Sequence, residues 1–367
     1  MTANIPKISV IIPVYNAAKF LTQNIESLLN QSLKEIEIIC VDDCSSDHSA
    51  DILKEYAKKD DRVTVLINET NLKAGATRNR GLAAATGEYV HFLDADDYMV
   101  LDAYEVLYEQ AKSNDLDLLK AKAYAVDAKT QQILPNSWYS LKSLDSKDFN
   151  KITNFYDMPD KFVRVAVAPW SGIYKRSFLV ENDIRFNHLI CVNDRSFYNE
   201  VIINSKSVMF IDYYFLYHRV NVPGSLVAGR AKNFDCHFKS YDIIKQQSAF
   251  LAHKELLCIL ESELQDIFAW YRKYQREHVL EEEIFTQTKA FIDQLDVSVF
   301  KDKLINCRWY KDYLKIKNFL PVNDKKTAAK IKKNNKIFGF FKCCKDHGIN
   351  YTLRLMLQKF LKKLEGR

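Results

Sequence analysis

ISVIIPV, Ile8 to Val14, is a continuous run of apolar and mostly β-branched residues that ends in Tyr15-Asn16, and its reading decides the fold class. A strand looks like this when both its faces are buried, because a strand with one wet face alternates polar and apolar residues. Outward from it, Phe20, Ile25, Leu28 and Leu29 recur at helical spacing, and Ile36 to Val41 reads as a second strand. Ala50 to Lys58 reads as a helix, Val63 to Ile67 as a third strand, Ala74 to Ala85 as a helix, and Tyr89 to Leu93 as a fourth buried strand. Strands and helices alternating at these intervals predict an α/β domain, a mostly parallel, Rossmann-like sheet flanked by helices.

In such sheets ligands bind beyond the carboxyl ends of the strands. Three of these ends carry polar clusters: Tyr15-Asn16, Asp42-Asp43 and Asp94-Ala95-Asp96. Carboxylates gathered at one crevice repel one another unless a cation or a ligand's donors compensate them. Asp47, beside Ser45 and Ser46 ahead of a helix, is expected to be an N-cap.

From about Asp115 the pattern loosens. Leu116 to Ala125 reads as a strand, Gln131 to Asn154 as polar loop with short helical pieces, Arg176 to Glu181 as a helix and Val208 to Tyr217 as a strand. Beyond Lys232 glycine and proline nearly vanish and long helical stretches follow, until Pro321 and a lysine-rich segment. The expected organisation is an α/β domain over 1–235, a helical region over 236–320 and a basic amphipathic tail over 321–367.

Four segments, Ser9 to Asn16, Val41 to Asp47, Asn71 to Gly81 and Phe92 to Asp97, stand in the order and spacing of the family 2 glycosyltransferases, and the chain resembles that family over about residues 7–220. The resemblance implies the GT-A fold, a nucleotide-diphosphate sugar donor, a divalent metal, Mn2+ or Mg2+, and inversion at the anomeric carbon. It assigns Asp96 as the direct metal ligand and Asp94 to the ribose or to the metal through water, with Ala95 beside the nucleotide. Both carboxylates are hard oxygen donors suited to such an ion. It gives Asp43 the N3–H of uracil, with Pro13, Tyr15 and Asn16 lining the same pocket, which makes a UDP-sugar the favoured donor. Arg78, after Gly75, matches the family's arginine for a base edge or phosphate, whereas Arg80 is equally an exposed helix residue.

The resemblance assigns the general base to Asp194, second in Asn193-Asp194-Arg195-Ser196-Phe197 where the family usually has Glu-Asp-x-x-Phe. The substitution of Asn193 removes one charge from the acceptor side. From this segment alone Asp194 is equally a helix cap. Trp170, in Pro169-Trp170-Ser171-Gly172, fits the acceptor side, where an aromatic face covers a sugar's C–H surface, and fits a buried core residue nearly as well. His218 and Arg219, taken to follow a strand on a flexible lid, offer a further metal ligand and a diphosphate contact.

No GxGxxG follows the first strand and no GxxxxGK[ST] loop exists, which removes dinucleotide oxidoreductases and P-loop kinases. Arg308-Trp309 lacks the Gln of a Gln-x-x-Arg-Trp motif, and a single-addition enzyme is favoured over a processive synthase. The acceptor is expected to be a glycan or a lipid-linked glycan of surface polysaccharide or lipooligosaccharide synthesis. A GT-A domain that binds without turnover is the alternative, and intact Asp43, Asp94, Asp96 and Asp194 weigh against it.

The eight cysteines form no CxxC pair, and neither an export leader nor an apolar stretch of ~20 residues is found. A cytoplasmic protein is expected. The net charge of +6 is concentrated: residues 325–367 hold 13 Lys and Arg against Asp346 and Glu365. Within 349–364, Ile349, Leu353, Met356, Leu357 and Phe360 share a helical stripe bordered by Arg354, Lys359, Lys362 and Lys363. Such a helix can lie in an anionic membrane interface at the inner face of the plasma membrane. It can also pack on the catalytic domain or on a second copy in a homo-oligomer. No motif supports nucleic-acid binding. Removal of residues 325–367 is expected to abolish sedimentation with anionic liposomes, and sedimentation unchanged by the truncation would discard the membrane role.

Overall fold

The computed structural model describes residues 5–135, 137–222, 229–246, 256–300 and 308–318, so the expected tail over 321–367 lies outside the described residues. The chain divides into two units, Met1–Tyr310 and Lys311–Arg367. In chain order the first half contains β1 Ile8–Val14, α1 Ala18–Leu29, β2 Ile36–Asp42, α2 Ser49–Lys59, β3 Val63–Ile67, α3 Lys73–Ala84, β4 Tyr89–Phe92, β5 Tyr98–Met99, α4 Ala103–Ser113, β6 Leu118–Asp127 and β7 Ile133–Leu134. There follow α5 Pro159–Phe162, β8 Gly172–Lys175, α6 Arg176–Glu181, α7 Asn193–Asn204 and β9 Val208–Val220. Four further helices are α8 Asp235–Gln246, α9 Leu257–Arg276, α10 Glu281–Gln294 and α11 Arg308–Lys317.

Among the described residues nine strands form one sheet in the order β3-β2-β1-β4-β8-β6-β9-β5, with β7 beside β6. β1 lies at the centre of the parallel half, paired with β2 over Ile8–Val14 against Ile36–Asp42 and with β4 over Ile8–Ile11 against Tyr89–Phe92. Its aliphatic side chains are fully buried on both faces, which explains the absence of alternation. β8 runs antiparallel to both β4 and β6, and β9 runs parallel to β6. The carboxyl ends of β1 to β4, β6 and β9 therefore share one edge of the sheet.

That half is the parallel α/β arrangement expected from periodicity, and the second half is mixed. Short β5 and β8 carry no periodic signal, because two to four residues cannot show a period. β9 extends to Val220, so His218 and Arg219, expected on a lid after the strand, are strand residues paired with Ala125 and Val126 of β6.

Local chemistry fixes the element ends. Asp47, expected as an N-cap, lies one residue before the α2 N-cap His48, and its carboxylate accepts from the first amides of two helices: Oδ1 from Ser49 of α2 and Oδ2 from Ala18 of α1. At the opposite edge from the crevice, one Glu37 oxygen accepts from Ser9 Oγ (2.6 Å), the Thr86 amide (2.7 Å), Thr86 Oγ1 (2.9 Å) and the Gly87 amide (3.0 Å). This carboxylate locks the α3–β4 turn onto β1 and β2. Among the described residues no helix is long and apolar enough to cross a membrane.

Gly172 opens β8 against β6 so closely that a Cβ there would lie 2.1 Å from the Leu119 carbonyl oxygen. The neighbour is strand backbone in the sheet interior and cannot step aside. Gly172→Ala is expected to cost about 1–3 kcal/mol, read from urea denaturation, and an unchanged midpoint would refute the close approach.

Candidate active site

The end of β4 makes a tight turn in which the Asp97 amide donates to the Asp94 carbonyl (3.1 Å). Asn24, a polar residue on the otherwise apolar buried face of α1, holds it by donating to the carbonyls of Asp94 (3.1 Å) and Asp97 (2.8 Å). One carboxylate oxygen from each of Asp94, Asp96 and Asp97 lies within 4.8 Å of the others. Ala95, between them, is buried.

Cations arrive from two other elements. Arg78 of α3 donates to Asp94 Oδ1 (2.7 Å) and to Asn193 Oδ1 (3.3 Å), with its guanidinium over the Phe186 ring. α3 can approach because Gly75 leaves room: a Cβ there would fall 2.4 Å from the Asn187 carbonyl oxygen. From β9, His218 Nδ1 meets Asp97 Oδ2 at 2.8 Å and the Arg219 amide donates to Asp97 Oδ1 at 2.8 Å. The Arg219 guanidinium donates to the Asp96 carbonyl and to Gln23, and lies over the rings of Phe20 and Tyr98. Among the described residues no side-chain cation bonds Asp96 at its carboxylate, although the charge of His218 acts on it. Burial, joined by the charges of Asp97 and Asp94, pushes its carboxyl up to about 7. Burial works against a charged His218, but Asp97 outweighs it and the imidazole pKa is raised.

At the ends of β1 and β2, Asp43 is buried and accepts from Asn68 Nδ2 (2.7 Å), the Leu72 amide (2.8 Å) and the Lys73 amide (2.9 Å). Of about four acceptor positions on a carboxylate, three are thus taken within the chain, leaving one on Oδ2. Asn16 Oδ1 accepts from the Ser46 amide (2.8 Å), Pro13 is half-buried, and Tyr15 is 53% exposed and open to a planar partner. Arg80 is tied to the end of β3 through the Ile67 carbonyl (2.7 Å) and Asn68.

On the other side, Trp170 is buried and one face of its indole is stacked on His218, with ring centroids 4.4 Å apart. It is placed as a core support for the imidazole. Tyr139, from the 131–154 stretch, packs edge-on against both rings at 4.8 Å. Burial raises its phenol to about 12, with Asp97, Asp194 and Asp94 adding to the shift, so the hydroxyl stays protonated among these carboxylates. Asp194 lies in the first turn of α7, half-buried, and Val192, the cap residue just before the helix, has a left-handed φ of 62°. That conformation is rare for a β-branched residue and such strain gathers at functional sites.

Residues 9–175 match the family described as Glycosyl transferase family 2. This segment is a family 2 glycosyltransferase domain. The chain is 33% identical over 235 residues to a poly(ribitol-phosphate) beta-glucosyltransferase of Bacillus spizizenii, a match covering 62% of this chain and 35% of that protein. It is 27% identical over 307 residues to a cholesterol galactosyltransferase of Borreliella burgdorferi, covering 82% of each. The chain therefore spans only about a third of the first relative's length and most of the second's. The fold is that of S. aureus TarS 1–349, solved in complex with UDP-GlcNAc, at a TM-score of 0.63 and 24% identity over 80% of this chain and 82% of that one.

Around the acidic turn of the glycosyltransferase segment the structure gathers Arg78, Asp94 and Asp96 with Asn193 and His218 from beyond it. Reading the sequence passed over three parts of this cluster. Asp97 is fully buried and holds His218 and Arg219; its signal was its place directly after Asp94-Ala95-Asp96. Asn24 was marked by being polar on an apolar helical stripe. Tyr139 had no signal, since only the folded loop carries it there.

The Asp96 shift has a consequence for stability. Its folded-state pKa of about 7 lies above the unfolded carboxylate value, so its contribution is full below about pH 4 and is lost as pH rises through 7. Without divalent cations, Asp96→Asn is expected to gain stability over the parent progressively from pH 4 to pH 8, by a few kcal/mol in urea titrations. A difference independent of pH would contradict the shift.

Proposed function

We propose that this chain is an inverting glycosyltransferase that moves one sugar from a UDP-sugar to a hydroxyl of a glycan or lipid-linked acceptor on the cytoplasmic side of the membrane. The observation that carries the reading is the Arg78 bridge, which joins Asp94 of the acidic turn to Asn193 beside Asp194. Donor chemistry and acceptor chemistry thereby meet at one guanidinium.

Asp94, Asp96 and Asp97 are a donor set that fits a hard divalent cation, Mn2+ or Mg2+, because all are carboxylates and, among the described residues, no side-chain cation bonds the Asp96 carboxylate. Asp96 would hold the ion, with Asp94 partly committed to Arg78. His218 has given Nδ1 to Asp97, a pairing that orients ligating imidazoles, and has Nε2 left to offer. Bound there, the ion offsets charge on the departing diphosphate. Arg78 adds positive charge beside the phosphates, Asp43 offers its remaining acceptor position to the base edge, and Tyr15 offers a face for stacking. Asp194 takes the proton from the acceptor hydroxyl as it attacks the anomeric carbon from the side opposite the nucleotide. The protonated Tyr139 hydroxyl is a donor to acceptor oxygens. Support for a uridine donor comes from the UDP-GlcNAc in the TarS structure, and support for a surface-glycan acceptor from the Bacillus relative's printed activity.

Thermal melting with UDP-, GDP-, dTDP- and CMP-sugars, each with Mn2+ or with EDTA, is expected to give a rise in Tm for one UDP-sugar with metal alone. Asp194→Asn should keep that rise and lose UDP release by roughly 10²- to 10⁴-fold. Binding without turnover in the parent would favour the non-catalytic module, and no shift with any nucleotide would reject the donor site.

A further inference from the structure

The helical region after residue 235 is joined to the candidate base by buried charge. Arg195, next to Asp194 on α7, places Nε 2.5 Å from Glu263 Oε2 and Nη1 3.2 Å from Asp266 Oδ2, both on α9. The Arg195 and Glu263 side chains are 14% and 5% exposed, so water screens the pair weakly. Glu263 Oε1 also accepts from Asn199 Nδ2 (3.3 Å), one turn along α7. From α8, His237 Nδ1 is 3.6 Å from Asp266 Oδ2, and burial lowers the imidazole to about 3, so it is uncharged at neutral pH. α8 packs against both α7 and α9.

A buried guanidinium and carboxylate cost more to desolvate than a pair of apolar side chains, so stability is weak grounds for this pair. Its place suggests another use. An uncompensated Arg195 would draw down the proton affinity of the carboxylate beside it, and a general base needs that affinity. We propose that Glu263, supported by Asp266, is a positioning residue for the transfer: it fixes Arg195 and balances its guanidinium, so that the first turn of α7 holds Asp194 in place with no net positive charge beside it. This rests on Asp194 being the base. Burial works against a charged Arg195, but Asp266 and Glu263, joined by the weaker charge of Asp194, outweigh it and hold the guanidinium charged. Among the described residues, other titratable groups around this corner include Arg78, which donates to Asn193, Arg230 before α8, Cys191 before α7, Cys236 and His237 on α8, and Tyr139, Asp94 and Asp97.

The test is the pH profile of kcat/KM for the full chain carrying Glu263→Gln, Arg195→Gln, or both. Removing the carboxylate leaves positive charge beside Asp194, so the acid limb of Glu263→Gln moves to lower pH by roughly half a unit or more, and kcat falls while KM for the donor stays within about twofold. Removing the guanidinium moves the acid limb of Arg195→Gln to higher pH. The double variant returns towards the parent. A purely structural pair would shift both single variants alike or neither, and either result overturns the proposal. Should Glu263→Gln fail to fold, the upward shift of Arg195→Gln and its reversal in the double variant decide. Asp194→Asn run alongside separates the two readings: retained turnover removes Asp194 as the base and this role with it, whereas an inert Asp194→Asn with unmoved acid limbs overturns the role of Glu263 alone.

Discussion

Negative charge at the end of β4 is the constraint around which the molecule is arranged. Three carboxylates within a few ångströms of one another, on a strand buried on both faces, have a poor choice between mutual repulsion and protonation. The chain relieves two of them by sending in opposite charge from distant sequence: Arg78 from α3 to Asp94, and His218 with the Arg219 amide from β9 to Asp97. Each of these contacts requires a particular element in a particular place. β9 has to run alongside β6 far enough to deliver residues 218 and 219, and α3 has to pass close to the Phe186–Asn187 backbone, which Gly75 permits. The third carboxylate, Asp96, is bonded by no side-chain cation among the described residues, and the His218 charge offsets only part of the effect of its burial and its acidic neighbours.

A second regularity follows the rim of the same crevice. Asn16 after β1, Cys44 after β2, Lys73 at the start of α3 and Val192 at the start of α7 all have positive φ although none is glycine. Two of them are held by side chains across the turn: Asn16 by Ser45 and Ser46, and Lys73 by Asp43 through its amide. The left-handed turns let strand ends and helix starts present backbone and side chains to one point instead of continuing straight past it.

Much of the parallel half was legible because its strands are long apolar runs and its helices amphipathic, so period and length agreed. The crevice was legible for the same reason, since polar residues directly after buried strands stand out. What escaped was short or non-local. β8 is four residues long and placed by a glycine's lack of a side chain, and β5 is two residues long. The end of β9 was read three residues early because His218 and Arg219 are polar, yet their polarity is satisfied by Asp97 inside the sheet edge. Trp170 could be assigned to the core or to the acceptor side from sequence, and only its stack on His218 gives it a place. Tyr139 and the Arg195–Glu263 pair depend on tertiary contacts between segments 31 or more residues apart, which no local pattern encodes.

The Glu37 knot lies at the edge of the sheet opposite all of this. With one carboxylate oxygen it ties β1, β2 and the α3–β4 turn together, using partners that take no part in the crevice. Anchorage and chemistry are thus divided between the two edges of one sheet. An evolving lineage can exchange loops and charges on the working edge, and so change what is recognised there, without reopening the fastening that keeps the strands in register.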